Sequence, residues 1–382
     1  MRVLIVNRGM NIYGGAEIVI VKLANYLAER GIEHALLTPR MAPQMEKDLK
    51  RTEVFLCGAH LRPDGIRGRI LSTAHIGEMI ALQKGLRQHA RDFDVINVHN
   101  YPSELAAFLY DGNVVWMCNE PELYLSLGIL AATGARMLTR ALWMFDRMVT
   151  SRYVTRVVVA DRFNAERFER LYHKVPTVIN YGIDFDYFSK DGGGNVTERL
   201  GLSGSFVVLH VGMLTPFKNQ MASLQVVKEL HDKIPNLKLV LAGSDENAQY
   251  TTMLRDYIER NDLRKHVIFT GHVDRGTVRE LYHACDVLLH PIMSQGGWLA
   301  PFEALCAQTP VVVSEEMTAS EIIRTNGLGV VTSDFAGAIL DVHRRPQEHG
   351  NIAQRGAKYI KENLSWDEYC RKMLDVFKEV GE

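Results

Sequence analysis

The chain has 382 residues, enough for two ordinary domains with a core apiece, and a net charge of −1. Its 47% apolar and 23% charged residues exclude a disordered polymer, and no nucleic-acid partner is expected of so balanced a charge. No apolar run reaches bilayer length: the most lipophilic stretch, 123–149, is broken by Arg136, Arg140 and Arg147.

Residues 1–7 hold one basic residue and a short β-branched run without a cleavage site, so they read as a first strand and not as a signal peptide. Gly14 and Gly15 follow, then a helix expected over 16–30 with Ile18, Val21, Leu23, Ala24 and Leu27 as its buried stripe and Gly31 as its stop. Runs at 35–38, 54–56, 95–99, 114–117 and 157–160 read as buried strands. The polar, glycine-rich segment at 189–196 is the best linker candidate. A second cycle begins with a strand at 206–211 and a helix at 219–233. Strands at 237–242, 267–270, 287–290, 311–313 and 329–332 continue it. Strands alternating with helices imply parallel sheets covered on both faces. The tail, 363–380, reads as an amphipathic helix opened by Ser365, with Asp367 and Glu368 in its first turn.

Cys57, Cys118, Cys285, Cys306 and Cys370 are odd in number and show no Cys-x-x-Cys spacing, so reduced thiols in a cytoplasmic protein are expected. The first half is slightly basic. Arg136, Arg140, Arg147, Arg152 and Arg156, with Arg62, Arg67 and Arg69, suit either a peripheral contact with the inner membrane face or a solvated helix face. Asp92/Asp94 and Asp184/Asp186 form Asp-x-Asp pairs. One precedes a strand and the other follows a turn, so neither is assigned a metal. Zinc spacing, a nucleophile elbow and a Gly-Lys-Ser/Thr phosphate loop are all missing from the sequence.

The most informative stretch is 291–314, where a loop containing Gln295, Gly296 and Gly297 leads through Trp298 and Leu299 into an apolar helix carrying Glu303, then a Thr-Pro break and Val311–Val313. Free N–H groups and the positive end of a helix dipole come together there, an arrangement suited to phosphate. The stretch resembles the donor-binding signature of retaining GT-B glycosyltransferases of family four. The likeness extends in order through Gly14-Gly15-Ala16-Glu17, Tyr181-Gly-Ile-Asp184 and the segment 211–218. It implies a GT-B fold: two facing Rossmann-like domains with parallel sheets, the first at 1–188, a linker at 189–204, the second at 205–364. The helix at 365–382 would cross back to the first domain.

By that resemblance the chain moves a hexose from a nucleotide diphosphate sugar to a hydroxyl acceptor (a glycan, a lipid-linked acceptor or a small molecule), with retention and without metal or other cofactor. Gly14, Gly15, Met213, Lys218, Gln295, Gly296, Gly297, Trp298, Leu299 and Glu303 would bind the donor. Lys218 would steady charge on the departing phosphate, and Glu303 would accept the ribose hydroxyls; helix-dipole complementarity is the plainer reading of Glu303. His99, Asn119 and Glu120 would face the acceptor, with Asn119 and Glu120 nearest the chemistry; a satisfied structural histidine is the equal alternative for His99. Three positions depart from the family pattern: Asn119 replaces a histidine, Met213 an arginine and Gln295 a glutamate. They motivate a rival reading, a catalytically silent GT-B protein that binds a nucleotide sugar or glycan and regulates a partner.

Overall fold

The computed structural model describes residues 1–10, 14–58, 76–119, 121, 136–245, 247–293 and 297–382. The chain divides into two compact units, Met1–Tyr181 with Trp366–Glu382, and Gly182–Ser365.

The first unit is built on a seven-stranded sheet. Its strands are β1 (Arg2–Asn7), β2 (Glu33–Thr38), β3 (Glu53–Leu56), β4 (Val95–His99), β5 (Val114–Met117), β6 (Arg156–Val159) and β7 (Thr177–Val178), in the order β3-β2-β1-β4-β5-β6-β7. Every pairing is parallel. The β-branched runs form strands because both faces are covered: Leu4, Val6, Val98, Trp116 and Phe168 share one core. β7 has only two residues, too few for a periodic signal, and was not expected from the sequence. The first helix, Gly15–Glu29, buries Val19, Ile20, Val21, Leu23, Ala24, Tyr26 and Leu27. That is a broader face than the expected stripe, and Ile18 is only half-buried. The breadth has a cause, because the helix also packs against the C-terminal helix Trp366–Gly381. Arg30 pairs with Asp367 at 2.9 Å and Lys22 lies over the Trp366 ring. Gly31 ends the helix at φ +67°, a left-handed stop.

The second unit repeats the plan. Strands β8 (Phe206–Val211), β9 (Leu237–Ala242), β10 (Val267–Gly271), β11 (Val287–His290), β12 (Val311–Val313) and β13 (Val330–Val331) run parallel in the order β10-β9-β8-β11-β12-β13. Val208, Leu239, Leu289 and Val312 meet Leu224, Val227 and Leu230 of the helix Gln220–Leu230 in its core. The glycine-rich segment read as a linker is packed into this unit. Val196 and Leu202 are buried, and a Cβ on Gly194 would collide with the Glu280 carboxylate. His283 of the helix Arg275–Ala284 also bonds the Phe188 carbonyl at 2.9 Å. Gly192 and Gly194 lie close against Glu280 while Gly193 turns left-handed (φ +65°) in open space, roles that composition cannot distinguish from a free tether.

In both sheets the strand order reverses once, between β1 and β4 and between β8 and β11. Loops leaving the carboxyl ends of those strands diverge to opposite faces. Each unit thus has a crevice at its switch point, the usual ligand position in a doubly wound sheet.

Candidate active site

The crevice of the second unit is framed by the loops after β8 and β11. Gly212 follows β8 at φ +155°, a conformation that favours glycine, and the Lys218 stem lies along it: a Cβ there would sit 3.4 Å from Lys218 Cδ. Lys218 ends a short 3-10 turn, Pro216–Lys218, and is half-buried. Asn219 then turns left-handed (φ 58°) and caps the helix Gln220–Leu230 through its side chain. Two hydrogen bonds tie this turn to the other loop. Asn219 Nδ2 donates to the Pro291 carbonyl at 2.9 Å, and Met293 N donates to the Phe217 carbonyl at 2.9 Å. The lysine and the segment after β11 are therefore one hydrogen-bonded piece. Met213, beside them, is 43% exposed and adds no charge.

Beneath the piece lie two buried histidines, His210 at the end of β8 and His290 at the end of β11, with rings 6.2 Å apart. His210 Nδ1 bonds Ser223 Oγ at 2.9 Å. Burial, and secondarily the charge of Lys218, depresses both imidazoles, His210 to about 3, so both are neutral.

Of the residues expected to wrap a donor sugar, Gln295 and Gly296 lie outside the described residues. Gly297 is half-buried. The Trp298 side chain turns inward, buried against Phe302 at 4.8 Å between ring centroids, and Leu299 opens the helix Leu299–Cys306. Glu303 is the fifth residue of that helix and not its first, which removes simple complementarity with the dipole as the reason for it. It is half-buried and accepts a hydrogen bond from Tyr282 Oη at 3.0 Å. Burial pushes its carboxyl up to about 7, against the opposing charge of Arg275 and the Tyr282 bond, while nearby Asp184 adds to the rise. Arg275 is itself ion-paired with Asp184 and lies over the rings of Tyr187 and Phe188. One Asp of the second Asp-x-Asp pair thus serves an arginine. In the first pair, Asp94 accepts from Arg2 N at 2.6 Å, before β4 begins.

The first unit's crevice is lined by amides that no sequence motif joins. Asn7 ends β1, Asn100 follows β4 and Asn119 follows β5. Asn100 Nδ2 donates to Asn7 Oδ1 at 3.1 Å, Asn119 Nδ2 donates to Asn100 Oδ1, and Tyr181 Oη donates to Asn119 Oδ1. Asn164 Nδ2 reaches the Asn119 carbonyl at 3.2 Å. The Asn119 amide is thus engaged at both ends, and the signal for it was an asparagine at the tip of three strands. His99 is wholly buried, bonded through Nε2 to Asn97 Oδ1 at 2.7 Å and pushed down to about 3 by burial, which is the structural alternative. Glu120 lies outside the described residues. Gly14 caps the first helix, and the Glu17 carboxylate folds back beside it; Gly15 is exposed.

A family model described as "Glycosyl transferases group 1" matches residues 197–359, and one described as "Glycosyltransferase Family 4" matches 13–187. The chain belongs to the group 1, family 4 glycosyltransferases. An uncharacterized glycosyltransferase of Methanocaldococcus jannaschii is 30% identical to it over 45% of this chain and 44% of its own length, so that match spans less than half of the relative. A D-inositol 3-phosphate glycosyltransferase of Xylanimonas cellulosilytica is 24% identical over 96% of this chain and 92% of its own. Among solved structures, Anabaena HepE in complex with UDP-glucose superposes with a TM-score of 0.80 at 17% identity, covering 99% of this glycosyltransferase and 100% of HepE. WaaG, a glycosyltransferase involved in lipopolysaccharide biosynthesis, gives 0.77 at 17% identity over 98% and 99%. At such identities the likeness speaks for the fold, which is GT-B. Among the described residues of this glycosyltransferase, no helix is long and apolar enough to cross a membrane.

Proposed function

We propose that this glycosyltransferase moves a hexose from a nucleoside diphosphate sugar to a hydroxyl acceptor, with retention of configuration and without a metal ion. The observation that carries the reading is the hydrogen-bonded piece at the second switch point, which joins the Lys218 turn to the segment leading into Glu303. A cation at one end and a carboxylate on the following helix suit the two halves of such a donor, the diphosphate and the ribose. Lys218 steadies charge on the departing phosphate, Glu303 accepts ribose hydroxyls, and residues 295–299 contact the sugar. In the transfer, the bond from the anomeric carbon to the phosphate oxygen breaks, the acceptor oxygen forms its bond on the same face, and the departing phosphate takes the acceptor's proton. The chain's part is to hold the reactants and stabilise the leaving group. That scheme needs no histidine base, consistent with Asn119 being held in a hydrogen-bond chain.

The acceptor belongs to the first unit, at the tips of β1, β4 and β5, with Glu120 in the loop after β5. UDP-glucose in HepE and the inositol phosphate relatives support a hexose donor and a polyhydroxylated acceptor. The helix Arg136–Tyr153 sets exposed Met144 and Met148 beside Arg140, Arg147 and Arg152, which supports an acceptor presented at an anionic membrane surface. The test is a panel of UDP-, GDP- and ADP-hexoses, read for thermal stabilisation, nucleotide release and anomeric configuration of product, with and without EDTA. Release that persists in EDTA with retention is expected. Loss in EDTA restored by Mn²⁺ or Mg²⁺ overturns metal independence, and an inverted product overturns retention.

A further inference from the structure

We infer that His290 is the positioning residue of the glycine loop: its buried ring is the seat on which the Gly297 backbone rests, beside the Lys218 turn, and position 297 lacks a side chain to admit that ring. The inference builds on the reading of 291–303 as donor-binding. A Cβ on Gly297 would fall on His290 Nε2, 3.1 Å from its Cε1 and 2.6 Å from Ile292 Cδ1. Gly297 is not among the glycines with positive φ, so glycine is required there for space and not for backbone freedom.

The ring cannot easily retreat. His290 is 1% exposed, with His210 behind it and Lys218 within electrostatic reach of both. Its own backbone is pinned, since its carbonyl accepts from Ser314 N at 3.1 Å. On either side of the next turn, Asn219 holds the Pro291 carbonyl and Ser314 Oγ holds the Ile292 carbonyl at 2.5 Å. The polar group that faces the ring is the Gly297 main chain, and its contact with the ring falls short of a full hydrogen bond. The imidazole therefore seats the Gly297 backbone by shape together with this weak polar contact. Burial and Lys218 keep it uncharged, so it adds no second cation beneath the lysine. By fixing where the loop ends, it fixes where the helix carrying Glu303 begins.

Removing the seat, or filling the space above it, should displace the loop against Lys218 by a fraction of an ångström to an ångström, and misplacement on that scale costs about 100-fold in rate. The test is a double-mutant cycle of Gly297→Ala, His290→Ala and the pair. It is read as nucleotide release from whichever of UDP-glucose, GDP-mannose and ADP-glucose the wild type turns over fastest, and in parallel as thermal melting without donor. Gly297→Ala should lower kcat about 100-fold while the donor KM moves about threefold or less, because the nucleoside half is held elsewhere. His290→Ala should lower it about tenfold. The pair should recover to within about tenfold of wild type and melt above Gly297→Ala, since the new methyl occupies the vacated space. A pair no better than Gly297→Ala in both readouts, or a Gly297→Ala enzyme within about threefold of wild type, overturns the inference. A melting cycle that couples as expected, with no nucleotide released by wild type from any donor, overturns the donor reading and with it the loop's catalytic role.

Discussion

Replacing Lys218 with methionine removes a charge and keeps the stem that lies along Gly212. The turn itself should stand, because its bonds are made by the Lys218 and Asn219 main chain to Thr215 and by the Asn219 side chain to Pro291. The cation works in a half-buried place over two neutral histidines, with Met213 contributing nothing to the field. At an effective dielectric constant near 20, a unit charge about 4 Å from a phosphate oxygen interacts by about 4 kcal/mol. Part of that is already felt by the bound donor, and the growth of charge on the leaving oxygen supplies the rest. The loss of one such group costs about 3–4 kcal/mol in the transition state. Turnover of Lys218→Met should therefore fall by roughly two to three orders of magnitude, with a smaller rise in the donor KM and a melting temperature within about 2 °C of wild type. The assay is initial-rate nucleotide release across donor concentrations, beside a thermal melt. A kcat within about threefold of wild type removes Lys218 from the mechanism. A large fall in melting temperature makes the residue part of the scaffold instead.

Two predictions concern pH. The Glu303 carboxyl is raised to about 7, so its carboxylate form grows as pH rises through that value; nucleotide affinity measured by calorimetry should strengthen from about pH 6 to about 8, and Glu303→Gln should flatten the dependence. A wild-type affinity that weakens over the same range refutes the ribose role. In the first unit, Asp146 is fully buried, and burial raises its carboxyl to about 7 against the smaller opposing effect of its neighbours Tyr172 and Glu104. A carboxyl raised in the folded state contributes stability that is complete below its unfolded value and is lost as pH rises through the folded one. Urea unfolding should show stability falling from about pH 4 to about pH 7.5 and levelling above that, and Asp146→Asn should remove that share of the slope. An identical slope in the variant refutes the assignment.

The parallel sheets were legible because their strands are covered on both faces and read as β-branched runs such as residues 157–159 and Val311–Val313. The motif singles out Lys218 and Glu303 as candidates, but their surroundings were not legible in it. Arg275 and Asp184 are 91 positions apart and meet only through the packing of the second unit. Asn7 ends β1 and Asn100 and Asn119 follow β4 and β5 within two residues, a visible pattern, yet their joining depends on the register of β1, β4 and β5, which no single segment carries. His99 shows why a lone histidine is hard to place: its burial follows from the sheet around it and not from its neighbours in the chain. Trp298 was expected among the donor-binding residues from its place in the motif, and its packing on Phe302 is a feature that the motif does not carry. At Gly297 the sequence records the glycine and is silent on the ring that requires it.

The first unit is assembled from two lengths of chain, with all of the second inserted between Tyr181 and Trp366. The helix Trp366–Gly381 buries Tyr369, Met373, Leu374 and Phe377, and it packs against the first helix and β4. A ribosome therefore completes the second unit before it completes the first. At about 5–20 residues per second, residues 182–365 occupy it for roughly 10–40 s. Through that interval the earlier-made strands wait with the apolar flank of the Gly15–Glu29 helix uncovered. The half of the molecule synthesised first is the last to close, and its folding in the cell depends on what shields that flank until the final helix arrives.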